Sequence, residues 1–153
     1  MDGIPLIVHT IREAVTAIGK KKVFVTTDSP DIAEVAKSAG AQVPFLRPKE
    51  LSGDEATAFE VIEHFLDWVR TEERDLDAIV YLQPTSPLRS AVAISNACNI
   101  FKQSDADSLV SVIPVPHQFS PSSLMQANGE WLTPIESFTS AALRRQDKPV
   151  LFA

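Results

Sequence analysis

Apolar residues along the chain alternate between the spacing of helices and that of buried strands. A first helix is predicted from residue 4 onward, with Pro5 in its first turn, where the missing N–H donor costs nothing. A strand is predicted at residues 22–27, and a second helix then begins with Ser29 as its cap and Pro30 at its first position, ending at Gly40. The apolar positions expected to line these two helices are Ile7, Ile11, Ala14, Val15, Ile18, Ile32, Val35, Ala36 and Ala39.

The alternation continues through the middle of the chain. Further strands are predicted at residues 42–45, 77–82 and 108–115, and further helices at about residues 56–70 and 92–103. The expected apolar faces of those helices are Val61, Ile62, Phe65, Leu66 and Val69, and then Ala93, Ala97, Ile100 and Phe101. Strands that alternate with helices indicate a parallel, helix-covered sheet. The sequence therefore predicts an α/β fold with three layers and a mostly parallel sheet.

Beyond Pro114 the pattern changes, because prolines and serines interrupt any long regular element. A short hairpin is predicted around Asn128 and Gly129, between residues 123–126 and 131–133. We expect residues 1–153 to form a single domain in which residues 116–153 are irregular.

Composition narrows the class of protein. With 44% apolar residues and 153 residues in all, the chain can bury a core of its own. A formal net charge of -6 argues against a nucleic-acid-binding surface. Cys98 is the single cysteine, so no internal disulfide can form, and no segment approaches the roughly 20 uninterrupted apolar residues that span a bilayer. These features predict a cytoplasmic protein that does not enter membranes.

The strongest candidate for chemistry is the polar loop, residues 83–89, which follows the predicted strand at residues 77–82. Its side chains offer amide donors, hydroxyls and a fixed cation on a backbone restricted by two prolines. In a parallel sheet such a loop lies at the carboxyl end of a strand, where α/β proteins hold ligands. The alternative is an ordinary turn from strand to helix, with Ser86 or Ser90 as a helix cap.

The residue order in and around this loop is similar to that of a known family. The block LQPTSPLR at residues 82–89 resembles the corresponding block of the acylneuraminate cytidylyltransferases, also called CMP-sialic acid synthetases. Other blocks on both sides of it resemble the family and occur in the same order as in the family: Pro5-Leu6-Ile7, Thr10-Ile11, Val25-Thr26-Thr27-Asp28, Ile32 to Ala36, Pro44 to Pro48, Leu51 to Asp54, Asp105 to Val112, and Arg144 to Asp147. The resemblance implies the fold of the nucleotide-diphospho-sugar transferases.

It also implies an activity and a set of ligands. The family transfers CMP from CTP to an acidic nonulosonic sugar of the acylneuraminate type, with release of pyrophosphate. By resemblance, Arg47, Ala56 and Thr57 contact the nucleotide. Without the family, an exposed salt bridge is the favoured explanation for Arg47, and a helix cap is the favoured explanation for Thr57. The residues expected to contact the sugar are Gln83, Thr85, Arg89 and Arg145, the last together with its neighbour Arg144.

Two parts of the family pattern have no counterpart in this sequence. The family's first strand and its Ala-Arg-x-Gly-Ser-Lys phosphate-binding loop would precede Met1, and its Mg²⁺-binding aspartates would follow Ala153. We therefore expect no catalytic or metal-binding residues in the chain and weak or no activity from it alone. The alternative is a non-catalytic oligomeric or nucleotide-sugar-binding protein. A homodimer is expected in either case, with residues 116–153 serving dimerisation or the sugar side.

Overall fold

The computed structural model describes residues 3–116, 119, 123–134 and 152. The chain divides into two compact units, Met1–Asp107 and Ser108–Ala153, each of which has its own internal packing. The expected single domain of residues 1–153 stays a prediction. None of the helices within the described residues has the length and apolar character needed to cross a membrane.

Each of the four predicted helices is present in the first unit. They are α1 (Leu6–Ile18), α2 (Pro30–Ser38), α3 (Ala58–Thr71) and α4 (Ala91–Lys102), with short 3-10 turns at Lys20–Lys22 and Lys49–Leu51. Pro5 is the residue before α1 and not part of its first turn, because its ψ of 141° is extended. The Ser29 side chain caps α2 by accepting a hydrogen bond from the Ile32 N–H at 3.3 Å, with Pro30 at the first helical position as predicted.

The carboxyl end of α3 is closed by two characteristic hydrogen bonds. The Arg74 N–H donates to the Val69 carbonyl and the Glu73 N–H donates to the Arg70 carbonyl, both at 3.1 Å. This is the Schellman arrangement, which needs a left-handed residue just past the helix. That residue is Glu73, with φ of 50°, where glycine is the usual choice.

Two extended segments of the first unit pair in parallel. The Val25 N–H donates to the Gln42 carbonyl and the Gln42 N–H to the Val23 carbonyl, each at 2.8 Å, and the pairing ends where the Arg47 N–H donates to the Thr27 carbonyl. Helix α2 connects the two segments, so this part is a strand–helix–strand crossover of the kind that α/β proteins repeat. It confirms an α/β arrangement, whereas the three-layer, mostly parallel sheet stays a prediction.

The core of this unit lies between α1, α4 and the parallel pair. Its buried members are Ile11, Ala14, Val23, Ala36, Ala41 and Ile94, and Leu82 packs against them. A second cluster is aromatic: Trp68 of α3 lies 5.5 to 5.9 Å from the ring centroids of Phe24, Phe45 and Phe65. The guanidinium of Arg74 covers the Trp68 ring at 4.7 Å, a cation–π contact that closes the cluster on one side.

Two predicted strands are wrong as regular elements. Residues 77–82 and 108–115 form no ladder with any described residue, and Pro114 makes only an isolated bridge. The expected buried runs are open to solvent, with Val80 42% and Val110 79% exposed. The physical reason is that a strand exists only when a neighbour accepts and donates its backbone hydrogen bonds, which local composition does not provide. Ile32 and Ile100 are also wrong as core residues, at 42% and 57% exposed, and so is Ala93, which is exposed.

The second unit contains the predicted hairpin. Its strands, β1 (Met125–Asn128) and β2 (Trp131–Pro134), pair antiparallel with Asn128 opposite Trp131. Gly129 follows β1 with φ of 62°, the left-handed conformation that a tight hairpin turn requires and that glycine adopts without strain. Within the same unit Pro114 forms an isolated antiparallel bridge with Phe152.

Candidate functional site

Arg47 stands at the carboxyl end of the second parallel segment. Its backbone is fixed there by the hydrogen bond from its N–H to the buried Thr27, at 2.8 Å. Its side chain is half-buried, and its Nε donates to the Ser52 hydroxyl at 3.1 Å. The Ser52 hydroxyl in turn donates to the Pro48 carbonyl at 2.9 Å. One edge of the guanidinium is therefore held by the protein, and no described residue accepts a hydrogen bond from its two Nη groups.

Ala56 and Thr57 are the two residues before α3, and both make hydrogen bonds with residues close in sequence. The Ala56 N–H donates to the Gly53 carbonyl at 3.1 Å. Thr57 is the N-cap of α3: its hydroxyl accepts from the Glu60 N–H at 3.2 Å, while its own N–H and hydroxyl both donate to the Glu60 carboxylate at 2.7 Å. This reciprocal capping box confirms the cap interpretation of Thr57. A contact of Thr57 with a nucleotide stays a prediction.

The capping box has an electrostatic consequence for Glu60. The hydrogen bond from the Thr57 N–H, followed by that from the Thr57 hydroxyl, lowers the pKa of the Glu60 carboxyl below its ordinary value of 4.5. Both hydrogen bonds favour the ionised form, which is the acceptor they need. The negative charge also faces the positive end of the α3 dipole.

The polar loop, residues 83–89, is presented to solvent. Gln83, Thr85 and Ser86 are exposed, and the Ser86 N–H donates to the Gln83 carbonyl at 3.3 Å to close a turn. A contact of Gln83 or Thr85 with a sugar stays a prediction. The helix that follows is capped by Ser90, whose hydroxyl accepts from the Ala93 N–H at 3.2 Å. Of the two cap candidates in the sequence, Ser90 is therefore the one that caps α4.

Arg89 differs from the rest of the loop because it is half-buried. Its Nη1 atom is inaccessible to solvent and has no hydrogen-bond partner among the described residues. A buried nitrogen of a charged guanidinium without a partner is costly. A contact of Arg89 with a ligand stays a prediction.

The two groups of predicted site residues are not joined directly. No hydrogen bond within the described residues links Arg47, Ala56 or Thr57 with Gln83, Thr85 or Arg89. Two concave surfaces lie elsewhere, one between the start of α1 and the end of α2, and one beside Trp68 and Arg74. Arg145, with Arg144, lies outside the described residues.

One polar contact beside the loop was not predicted from the sequence. Glu13 of α1 accepts a hydrogen bond from the Ala91 N–H at 2.6 Å, across 78 positions of sequence. No spacing rule connects such distant residues. Among the described residues, no group of three or more His, Cys, Asp or Glu side chains could hold a metal ion.

Comparison with known proteins gives a consistent set of similarities. The family model described as Cytidylyltransferase matches residues 1–132. The chain is 32% identical to the CMP-N,N'-diacetyllegionaminic acid synthase of Legionella pneumophila over 150 residues, which cover 98% of this chain and 64% of that protein.

Two further relatives are N-acylneuraminate cytidylyltransferases. The protein from Streptococcus agalactiae serotype V is 36% identical over 72% of this chain, and that from Escherichia coli O18:K1:H7 is 34% identical over 84% of it. The matched regions are 26% and 29% of those two proteins. The chain thus spans less than two thirds of the length of each of these three relatives.

Proposed function

The chain belongs to the cytidylyltransferase family, and we propose that it provides nucleotide- and sugar-contacting residues for the synthesis of a CMP-activated nonulosonic acid. In that reaction a hydroxyl oxygen of the sugar forms a bond to the α-phosphorus of CTP. The bond from that phosphorus to the oxygen bridging the β-phosphate breaks, pyrophosphate leaves, and the hydroxyl proton is released. The observation that carries the proposal is the family match over residues 1–132, which includes six of the seven predicted site residues.

On the nucleotide side, the proposal assigns the main role to Arg47. Its Nε is held by Ser52 and its Nη groups are left for a ligand, so the guanidinium can donate to the cytosine carbonyl oxygen with little loss of side-chain freedom. Ala56 is small enough to let a base approach the backbone beside it. Thr57 would contribute chiefly through the turn that its capping box fixes.

On the sugar side, the exposed Gln83 and Thr85 offer neutral donors and acceptors to the hydroxyls of a polyhydroxylated ligand. Arg89 would face the sugar carboxylate. An ionised carboxylate could reach the buried Nη1 atom only after the atoms that cover it moved, and it would then supply the partner that this nitrogen lacks among the described residues. Charge-assisted hydrogen bonds of this kind are about twice as strong as neutral ones. Arg145 is proposed for the same carboxylate on the resemblance alone.

The test is ligand-induced stabilisation of the chain. CTP at about 100 times its dissociation constant should raise the melting temperature by roughly 5–10 °C, with UTP and ATP giving much smaller shifts. A second measurement follows pyrophosphate release from CTP in the presence of N-acetylneuraminic acid and Mg²⁺. No preference for CTP over UTP and ATP would count against the proposal, whereas weak or absent release of pyrophosphate is the result expected of this chain alone.

A non-catalytic oligomeric role is the second candidate, and one observation favours it. Leu76, Ile79, Val80 and Tyr81 are 37–49% exposed along a segment whose composition suits a strand. A second copy of the chain could pair with this segment and cover it. Sedimentation at micromolar concentration tests this role by measuring the oligomeric state. A dimer that dissociates on the Val80→Lys substitution would support the role, and a monomeric native chain would exclude it.

A further inference from the structure

Glu13 connects α1 to the start of α4. Its Oε2 atom accepts a hydrogen bond from the Ala91 N–H at 2.6 Å, and Ala91 is the first residue of α4. The first N–H groups of a helix have no partner inside the helix and carry the positive end of its dipole. A carboxylate at this place satisfies one of these donors and is attracted to the dipole. The contact is half-buried, which limits screening by solvent.

This contact also determines where the polar loop ends. The loop leaves the core at Leu82, which packs against the buried cluster, and rejoins regular structure at Ala91. Between those points the hydrogen bonds within the described residues are local, from the Ser86 N–H to Gln83 and from the Ala93 N–H to Ser90. Among the described hydrogen bonds, the one between the Glu13 side chain and the Ala91 N–H connects the end of the loop to α1, which is distant in sequence.

We propose that Glu13 is a positioning residue for the polar loop, which it orients by holding the Ala91 N–H. Arg89 lies two residues before Ala91, so the direction of its guanidinium depends on where that amide is fixed. The inference rests on the proposed function, which gives the loop its acidic sugar. It also adds a point of specificity: the Glu13 carboxylate already occupies the amino end of α4, so a sugar carboxylate is excluded from that end and directed to Arg89.

The structure separates this role from general support of the fold. Helices α1 and α4 are held together by apolar packing. Ile11 and Ala14 of α1 and Ile94 of α4, each no more than 3% exposed, belong to one buried cluster. Loss of the Glu13 contact should therefore leave the two helices packed while it frees the loop. Glu13→Ala removes the acceptor, Glu13→Gln keeps an acceptor oxygen without the charge, and Ile94→Val weakens the same helix pair without touching the hydrogen bond.

The decisive measurement is amide hydrogen exchange in the free chain. We expect Glu13→Ala to increase the amide exchange rate at Ala91 roughly tenfold or more relative to the rate in Ile94→Val. In ¹⁵N relaxation, residues 83–89 should also be more mobile in Glu13→Ala. Glu13→Gln should restore most of the protection. Exchange at Ala91 and loop motion that are the same in Glu13→Ala and Ile94→Val would overturn the proposal.

A second measurement uses N-acetylneuraminic acid as the probe, titrated in the presence of CTP. Glu13→Ala should weaken binding of the sugar roughly tenfold and leave binding of CTP alone unchanged, with Glu13→Gln close to the native chain. An unchanged sugar affinity in Glu13→Ala would overturn the positioning role. A native chain that binds no sugar would count against the proposed function, and the exchange measurement would still decide whether Glu13 orients the loop.

Discussion

The backbone N–H of Arg47 donates to the carbonyl oxygen of Thr27 at 2.8 Å, the last hydrogen bond of the parallel pair. Because Thr27 is buried, at 5% exposed, the position of Arg47 is fixed by the fold and not by its own side chain. Substitution of the arginine should therefore change what the side chain binds and leave the backbone in place. This separation of binding from folding makes Arg47 the best residue with which to test nucleotide recognition.

Arg47→Ala should weaken CTP binding roughly tenfold or more, because a hydrogen bond from a charged donor to the base would be lost. Its free energy of unfolding without ligand should fall by less than about 1 kcal/mol, since only the Nε contact with Ser52 is removed. Calorimetric titration and urea unfolding measure the two quantities. The control is Arg12→Ala, an exposed arginine of α1. Equal CTP affinities in the two variants would contradict the assignment of Arg47.

The capping box of α3 should make stability depend on pH at the acidic end. Since the pKa of Glu60 is lowered by folding, its contribution is fully present above the ordinary value of 4.5 and is lost as the pH falls through the folded value. The native chain should therefore be more stable than Glu60→Gln at neutral pH, and the difference should shrink below pH 4.5. Thermal unfolding of both proteins over that range provides the measurement. A difference that does not vary with pH would show that the charge of Glu60 is not involved.

Two isoleucines on helices should differ sharply in their importance. Ile11 is 2% exposed in the core, and its replacement by alanine should cost about 2–5 kcal/mol through lost burial and a cavity. Ile32 is 42% exposed, and Ile32→Ala should cost less than about 1 kcal/mol. Urea unfolding of the two variants compares them directly. A larger loss in Ile32→Ala than in Ile11→Ala would contradict the described core.

The left-handed residue after α3 offers a stabilising substitution. Glu73 has φ of 50°, a conformation that costs a residue with a side chain about 1–2 kcal/mol. Glu73→Gly should raise the free energy of unfolding by about 0.5–1 kcal/mol after the greater entropy of glycine in the unfolded chain is subtracted. Glu72→Gly is the matched control, because Glu72 has φ of -88° and should lose stability instead. Chemical unfolding that ranks the two variants in the opposite order would refute this account.

Local signals predicted the helices well and the sheet poorly. Ser29 with Pro30 sets the start of α2, and Asn128 with Gly129 marks the hairpin, because each of these features acts within a few residues. Residues 77–82 have the composition of a strand, but no described neighbour supplies the ladder that a strand requires. Exposure of Ile32 has a similar origin: periodicity finds the apolar face of a helix, and only packing decides how much of it is covered.

The candidate site shows the same division. The polar loop after residue 82 and a cap at Thr57 were both predicted from local sequence, and Gln83 and Thr85 are exposed in that loop. The contact of Glu13 with Ala91 joins α1 to the start of α4, and the burial of the Arg89 Nη1 atom likewise exists only in the folded chain. Contacts between residues far apart in the sequence form only in the folded chain, and no periodic pattern in the sequence predicts them.

The aromatic cluster around Trp68 makes the first unit optically distinct from the second. The chain has two tryptophans: Trp68 is half-buried among phenylalanine rings beneath a guanidinium, and Trp131 of the hairpin is 77% exposed. Their emission should differ, with Trp68 at shorter wavelength and more strongly affected by its neighbours. Variants that keep one indole at a time would give each unit its own fluorescent reporter, so that the melting of one can be recorded without interference from the other.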